Sequence, residues 1–97
     1  MKLIWSPEAR LDLREMVIYL TEKNPSAARA LCERIEDATN ELSDSPYIGR
    51  PGRVPGTREF VITNTPYILP YQIRSDRLEI LRVYHAARKW PGQFKQY

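Results

Sequence analysis

Five residues able to take part in chemistry lie close together near the end of the chain: Arg82, Tyr84, His85, Arg88 and Lys89. Because an imidazole can exchange protons near neutral pH, His85 could act as a general acid or base. The arginines could hold phosphate oxygens through paired hydrogen bonds, and Tyr84 could stack on a base or donate a hydrogen bond. This combination suits RNA cleavage by acid–base chemistry. An ordinary strand end carries similar residues, so the cluster alone leaves both interpretations open.

The rest of the sequence lacks the motifs of other common chemistries. Gly49, Gly52 and Gly56 lie among prolines and do not lead into a helix, unlike the glycines of a phosphate-binding loop. Cys32 and His85 are the only soft metal ligands, and two cannot complete a zinc site. We therefore expect no metal and no cofactor. Cys32 lies one position beyond the apolar stripe of a predicted helix and is interpreted as a small packing residue.

Length and composition favour one soluble, globular domain spanning residues 1–97. The chain is 42% hydrophobic and 28% charged, which is ordinary usage for such a domain. No segment is apolar enough to span a membrane, and Met1–Trp5 lacks the composition of a signal peptide. A single cysteine also fits a reducing compartment, so we expect a cytoplasmic protein without membrane contact.

The net charge of +3 conceals a difference between the two halves of the chain. Residues 1–45 contain nine acidic and six basic residues, a net of −3, whereas residues 46–97 contain three acidic and nine basic residues, a net of +6. The second half could bind a polyanion or an acidic protein. The alternative is a solvated, arginine-rich surface without a partner.

Local signals predict a strand, two helices and three further strands. Residues 2–5 form the first strand, and Ser6-Pro7-Glu8 begins a helix that ends near Lys23. Asn24-Pro25 begins a second helix, and the two helices should form an antiparallel hairpin. The second helix has apolar residues at three- and four-residue spacing: Ala28, Leu31, Ile35, Ala38 and Leu42.

The second half of the chain predicts a loop followed by a β-meander. Residues 43–56 are rich in glycine and proline, and three β-rich runs follow: Arg58–Thr63, Tyr67–Arg74 and Arg77–Tyr84. The predicted fold is therefore α+β, with the order β-α-α-β-β-β. The N-terminal strand and the helical hairpin pack on a mainly antiparallel sheet.

Alternation within the predicted strands assigns side chains to the two faces of the sheet. Phe60 and Ile62 are predicted to be core, and so are the inward-facing residues Tyr67, Leu69, Tyr71 and Ile73. Arg58 is expected either to form a surface ion pair with Glu59 or Glu79 or to contact a partner. Arg82 lies mid-sheet, where a charge is costly unless paired, so we favour a functional role for it. Trp90, followed by Pro91, is expected to anchor the C-terminal turn.

Three segments resemble the toxins of the RelE/ParE superfamily. Residues 49–61 read GRPGRVPGTREFV, residues 66–73 read PYILPYQI and residues 78–91 read LEILRVYHAARKWP. They are similar to the family patterns GRPGRVxGTRELV, PYIVxYRV and VEILRVLHGARxWP, with Pro70 and Gln72 as departures. Residues 5–9 and 24–28 agree as well, so the resemblance covers nearly the whole chain in order. It implies the same fold as the local signals.

The resemblance also implies a role in a type II toxin–antitoxin system. Such a toxin is held inactive by a cognate antitoxin, whose extended and commonly acidic segment wraps it while another domain binds operator DNA. The basic half of this chain suits such a contact. We expect the antitoxin or the target to contact seven residues: Arg53, Arg58, Arg82, Tyr84, His85, Arg88 and Lys89.

The superfamily divides by target, since the RelE branch cleaves mRNA on the ribosome and the ParE branch poisons DNA gyrase. RelE-type enzymes carry basic residues on the middle strands. The matching positions here are Glu59, Val61, Thr63, Ile68, Pro70, Gln72 and Arg74. All but Arg74 are acidic, neutral or apolar and cannot stabilise a reacting phosphate. We therefore favour a ParE-like, non-enzymatic gyrase inhibitor. The alternative is a ribosome-dependent endoribonuclease with Arg82, His85 and Arg88 as candidate catalytic residues.

Overall fold

The computed structural model describes residues 1–94, which form two helices and a six-stranded mixed sheet. The elements in chain order are β1 (Lys2–Trp5), α1 (Pro7–Lys23), α2 (Pro25–Asp44), β2 (Arg50–Pro51), β3 (Arg58–Val61), β4 (Tyr67–Arg74), β5 (Arg77–Ile80) and β6 (Tyr84–His85). The strand order is β1-β5-β4-β3-β2, and β6 pairs with β4. Only β1 and β5 run parallel among these pairs. The predicted α+β class is confirmed; β2 was not predicted.

Both helices begin at the predicted caps. The Ser6 side chain accepts a hydrogen bond from the Ala9 N–H at 3.0 Å and donates one to the Leu81 carbonyl at 2.8 Å. Asn24 accepts from the Ala27 N–H at 3.1 Å, and a proline occupies the first turn of each helix. Each cap satisfies an N–H group that the helix itself leaves free. Ser6 also ties the start of α1 to the sheet.

The core lies between the helical hairpin and the inner face of the sheet. Among the predicted core residues, Ile62, Leu69 and Tyr71 are fully buried, and Phe60, Tyr67 and Ile73 pack against them. The predicted stripe of α2 is buried along its whole length. The prediction for Cys32 is wrong, because this residue is exposed. One position after the buried Leu31 corresponds to a rotation of about 100° around the helix axis, which turns the thiol away from the core.

The last predicted strand is interrupted by a β-bulge. Tyr71 of β4 faces Ile80, but Ile68 faces Tyr84, so the last strand has one residue more than β4 over this stretch. Pro70 lies opposite the interruption, and its carbonyl accepts from the Leu81 N–H at 2.9 Å. Because proline has no N–H to return, regular pairing cannot continue there. The bulge separates β5 from β6 and directs Arg82 towards α1.

The outer face of the sheet is covered by the chain itself. The loop after β2 and the segment after β6 approach each other over Gln72, where Val54, Pro55 and Thr57 face Gly92–Phe94 across a small cleft. Four outward-facing residues of this face are buried: Glu59, Ile68, Pro70 and Glu79. Neither helix is both long and apolar enough to cross a membrane, judged over residues 1–94.

Candidate functional site

A cavity of about 620 Å³, here called the C-terminal cavity, brings together most of the residues singled out at the end of the sequence. Arg82, Tyr84, Arg88 and Lys89 line it, whereas His85 does not. Successive strand residues point to opposite faces of a sheet, so Tyr84 and His85 point apart. The remaining lining residues are Glu8, Leu81, Trp90, Pro91, Gln93 and Phe94.

Arg82 is paired with Asp12 of α1. Its guanidinium donates two hydrogen bonds to the carboxylate, at 2.7 and 2.8 Å, and the Val83 N–H donates a third at 3.0 Å. The hydrogen bonds from its guanidinium to Asp12 raise the pKa of Arg82 above its ordinary value. The pair connects α1 to the β-bulge, and it supplies the counter-charge that a partly buried arginine at position 82 requires. Its positive charge is therefore balanced, and its contact with a partner stays a prediction.

Sequence reasoning did not identify Asp12, because its partner lies 70 residues away. A signal was nevertheless present. Asp12 falls between Ala9 and Met16 at helical spacing, and both of these belong to the core-facing side of α1. An acidic residue on an apolar helix face requires a buried partner.

Tyr84 lies at the centre of the C-terminal cavity's aromatic wall and is only 2% exposed. The guanidinium carbons of Arg82 and Arg88 lie 4.8 and 4.4 Å from its ring centroid. The Trp90 ring lies 5.0 Å away in an edge arrangement, which agrees with the predicted anchoring role of Trp90. These are cation–π and aromatic contacts within the protein. The suggestion that Tyr84 stacks on a base is wrong for this conformation, since the ring is buried.

His85 is exposed, and its side chain already accepts a hydrogen bond. Its Nδ1 accepts from the Ala87 N–H at 3.0 Å, and its ring meets Tyr67 edge-on at 5.7 Å. An accepting Nδ1 assigns the proton of the neutral ring to Nε2. Nε2 is then a hydrogen-bond donor, whereas a general base needs a free acceptor.

Glu59, on the outer face of β3, is the centre of a second charged cluster. Its carboxylate accepts from Arg50 at 3.0 Å and from the Arg53 side chain and backbone N–H at 3.1 and 2.7 Å. Burial disfavours the charged form, but the Arg53 backbone N–H and the two guanidinium groups outweigh it and lower the pKa of Glu59. Arg53 also lies over the Trp90 ring, with its guanidinium carbon 3.9 Å from the centroid. The cluster therefore fastens the loop after β2 to the C-terminal segment.

Arg58 has neither of the ion-pair partners expected for it. It donates to the Tyr47 carbonyl at 3.2 Å and to the Gly49 carbonyl at 2.9 Å, and Glu79 pairs with Arg77. The neighbouring Tyr71 hydroxyl accepts from the Gly49 N–H at 2.9 Å and donates to the Pro46 carbonyl at 2.7 Å. Burial raises the pKa of Tyr71, so its hydroxyl keeps this donor. Arg58 and Tyr71 thus stabilise the loop that leads from α2 to β2.

The structure offers no evident metal site among the residues it describes, since no three His, Cys, Asp or Glu side chains converge in residues 1–94. The middle-strand positions named above form no open basic surface either. Glu59 is held by two arginines, Ile68 and Pro70 are buried, and Val61 is an exposed apolar residue.

Comparisons with known proteins agree with this fold. The family model described as "ParE toxin of type II toxin-antitoxin system, parDE" matches residues 3–90, and the chain belongs to this family. It is similar to the Sinorhizobium fredii protein described as "Putative toxin Y4kP", with 42% identity over 90% of each chain. It is also similar to the toxin RelE2 of Caulobacter vibrioides, with 30% identity over 90% of this chain and 97% of that one. A solved structure described as the chromosomal ParDE TA system from P. aeruginosa matches with a TM-score of 0.79 and 25% identity, over 88% of this chain and 95% of that chain.

Proposed function

We propose that this toxin inhibits DNA gyrase in the cytoplasm, does not cleave RNA, and is neutralised by tight binding of a cognate antitoxin. The observation that carries the proposal is the closed outer face of the sheet. An RNA backbone placed on the middle strands would find Arg50 and Arg53 already hydrogen-bonded to the buried carboxylate of Glu59, so these two arginines are not free to stabilise a reacting phosphate. It would also have to displace the covering loop and the C-terminal segment before reaching Pro70.

The position of His85 supports the same proposal. Acid–base cleavage needs a proton acceptor next to the cations that stabilise the phosphate. Here the imidazole lies outside the cavity that Arg88 and Lys89 line, and its Nδ1 is already hydrogen-bonded. A poison that acts by occupying a protein needs no such arrangement.

An antitoxin partner is supported by the matching toxin–antitoxin structure and by the charge of the second half of the chain. Within residues 1–94, neither Arg88 nor Lys89 forms an ion pair, so both exposed cations are available to an acidic partner. Complementary charge accelerates association and restricts the choice of partner. Operator DNA would be bound by the antitoxin and not by this chain.

The proposal is tested by expressing the chain without its antitoxin in growing cells. We expect growth arrest with filamentation, DNA breaks and an SOS response, while translated mRNAs stay intact. The purified toxin should inhibit supercoiling by gyrase. The variant His85→Ala should keep full toxicity, because the proposed mechanism requires no proton transfer, and Arg29→Ala serves as the matched exposed-residue control.

The alternative function is ribosome-dependent mRNA cleavage. It predicts cuts at fixed codon positions in translated messages, without DNA breaks. Cuts that disappear in His85→Ala or Arg88→Ala would establish the nuclease and refute the gyrase proposal. The two functions are thus separated by which nucleic acid is damaged.

A further inference from the structure

The exposed side of α1 carries apolar residues that the exposed side of α2 lacks. Leu11, Ile18 and Tyr19 are 54%, 52% and 61% exposed. On α2, by contrast, no large apolar side chain is exposed between Pro25 and Asp44, all of which the structure describes. Leu11 and Ile18 are separated by about two helical turns and so form one line along the helix, here called the apolar line. Apolar residues grouped in this way indicate a contact surface.

A groove of about 480 Å³, here called the α1 groove, lies beside the apolar line. It is lined by Trp5, Arg10, Leu13, Arg14, Val17 and Ile18. Arg10 and Arg14 lie one helical turn apart, a spacing at which like charges repel. Neither forms an ion pair within residues 1–94. The groove therefore joins an apolar lining to two cations that these residues leave without a counter-charge, which suits an aromatic side chain accompanied by a carboxylate.

The complementary groups lie on the opposite side of the apolar line. Successive helical residues are rotated by about 100° around the axis, which places the two arginines on one side of the line and Glu15 and Tyr19 on the other. Glu15 forms no ion pair within residues 1–94. Tyr19 remains 61% exposed, although the Lys23 ammonium lies 5.5 Å from its ring centroid. The same helix thus carries a groove on one side and, on the other, a carboxylate and an aromatic ring that could fill it.

We propose that α1 pairs with α1 of a second copy of this chain, with the two helices parallel. A twofold axis along the helices brings the two apolar lines together and sets opposite sides of the helices against each other. Tyr19 of each copy enters the α1 groove of the other, and Glu15 lies between Arg10 and Arg14 of the other copy. An antiparallel pair would bring equal sides together, so arginines would meet arginines and Glu15 would meet Glu15. Charge therefore selects the parallel arrangement.

Sedimentation equilibrium of the purified full chain measures this association. An interface made of one helix face per copy is small, so we expect a dissociation constant of about 10–100 µM. Ile18→Glu places a charge in the apolar line and should weaken the association at least about tenfold. Ile48→Glu makes the same change at a 44% exposed position outside α1 and should leave the association unchanged. Circular dichroism verifies that each variant is folded.

Two charge variants test the contact between Glu15 and the arginines. Glu15→Arg places a third arginine against Arg10 and Arg14 of the other copy, and the double variant Arg10→Glu/Arg14→Glu places two glutamates against Glu15. Each variant alone should associate at least about tenfold more weakly than the parent chain. An equimolar mixture of the two should regain the association, because every contact between the unlike chains then joins opposite charges.

Disulfide trapping tests the direction of the helices. The exposed Cys32 is first replaced by serine. In a parallel pair, position 18 faces position 18 of the other copy, so Ile18→Cys should form a disulfide dimer on mild oxidation. Ile48→Cys in the same background is the control and should stay monomeric.

Four results would overturn the inference. The first is a chain that stays monomeric up to about 500 µM, where even weak dimers form, which would leave the surface to a different protein. The second is equal weakening by Ile48→Glu and Ile18→Glu, and the third is a mixture of charge variants that does not associate. The fourth is a disulfide that forms only between Leu11→Cys and Ile18→Cys chains, which would show antiparallel helices. None of these measurements involves gyrase or an antitoxin, so the inference goes beyond the proposed function and does not depend on it.

Discussion

At the scale of single residues, the pair formed by Arg82 and Asp12 changes the interpretation of the C-terminal motif. Arg82 was expected to have a functional role because a charge within a sheet is costly unless it is paired. The structure shows that it is paired, through a bidentate ion pair in which the Arg82 side chain is 25% exposed and the Asp12 side chain 12% exposed. The same guanidinium contacts the ring of Tyr84, so the pair also positions the wall of the C-terminal cavity.

The replacement Asp12→Asn should destabilise the protein by roughly 2 kcal/mol, because it leaves a partly buried guanidinium without its counter-charge. The change keeps the shape of the side chain, so packing is preserved. Asp37→Asn is the matched control on the exposed side of α2 and should alter stability by less than about 0.5 kcal/mol. Urea denaturation measures both, and equal stabilities of the two variants would contradict the argument.

Glu59 predicts a pH dependence of stability. Its folded pKa lies below the ordinary value of 4.5, so ionised Glu59 stabilises the folded state fully above that value. The stabilisation is lost as the pH falls from 4.5 through the lower folded pKa. Glu59→Gln should therefore show a shallower decrease of unfolding free energy with falling pH in this range, measured by denaturation at a series of pH values. An unchanged slope would show that Glu59 does not titrate as described.

At the scale of elements, the loop that leads from α2 to β2 depends on the close approach of Gly49 to Tyr71 and Glu59. A Cβ at position 49 would lie 2.5 Å from the Tyr71 hydroxyl and 2.9 Å from the Glu59 carbonyl. At Gly92, by contrast, a Cβ would meet nothing within 4 Å. A side chain at position 49 would therefore clash with its surroundings, whereas one at position 92 would not.

Gly49→Ala should lower the free energy of unfolding by roughly 2 kcal/mol, since it forces Tyr71 away from two hydrogen bonds within a packed core. In a domain of this size that corresponds to a decrease of about 10 °C in Tm. Gly92→Ala should change Tm by no more than about 2 °C. Thermal denaturation of the two variants measures the difference, and a Gly49→Ala protein as stable as the parent would refute the steric argument.

The elements were predictable where the signals are local. Ser6-Pro7 and Asn24-Pro25 mark both helix starts, and alternation placed Leu69 and Tyr71 correctly in the core. The interruption between β5 and β6 was missed because it depends on pairing with β4. Pro70, in the middle of a buried strand, was its one local signal.

The site was less predictable than the fold. The residues of the C-terminal cavity were identified from their types, but their partners were not, because Asp12 and Glu8 come from the opposite end of the chain. Tyr84 was expected to reach a ligand directly, and its burial arises from a segment without regular secondary structure. Strand alternation fixes the side of the sheet on which a side chain lies, but not what covers that side.

At the scale of the whole molecule, the two faces of the sheet are covered in different ways. The helical hairpin covers the inner face with aliphatic and aromatic packing. A loop and the C-terminal segment cover the outer face, fastened by Glu59, its two arginines and the contact of Arg53 with Trp90. Some of the basic residues of the second half are thus used to close the molecule, whereas Arg88 and Lys89 form no ion pair within residues 1–94.

The Glu59 cluster also has an evolutionary consequence. A lysine at position 59, the kind of residue that an RNA-cleaving relative would need there, would place three cations together and remove the carboxylate that holds the loop. The first step towards a nuclease would thus lose stability before any catalytic gain. Neutralising Arg50 or Arg53 would have to come first. In this chain a basic residue at position 59 is therefore tolerated only after one of the two arginines has been replaced.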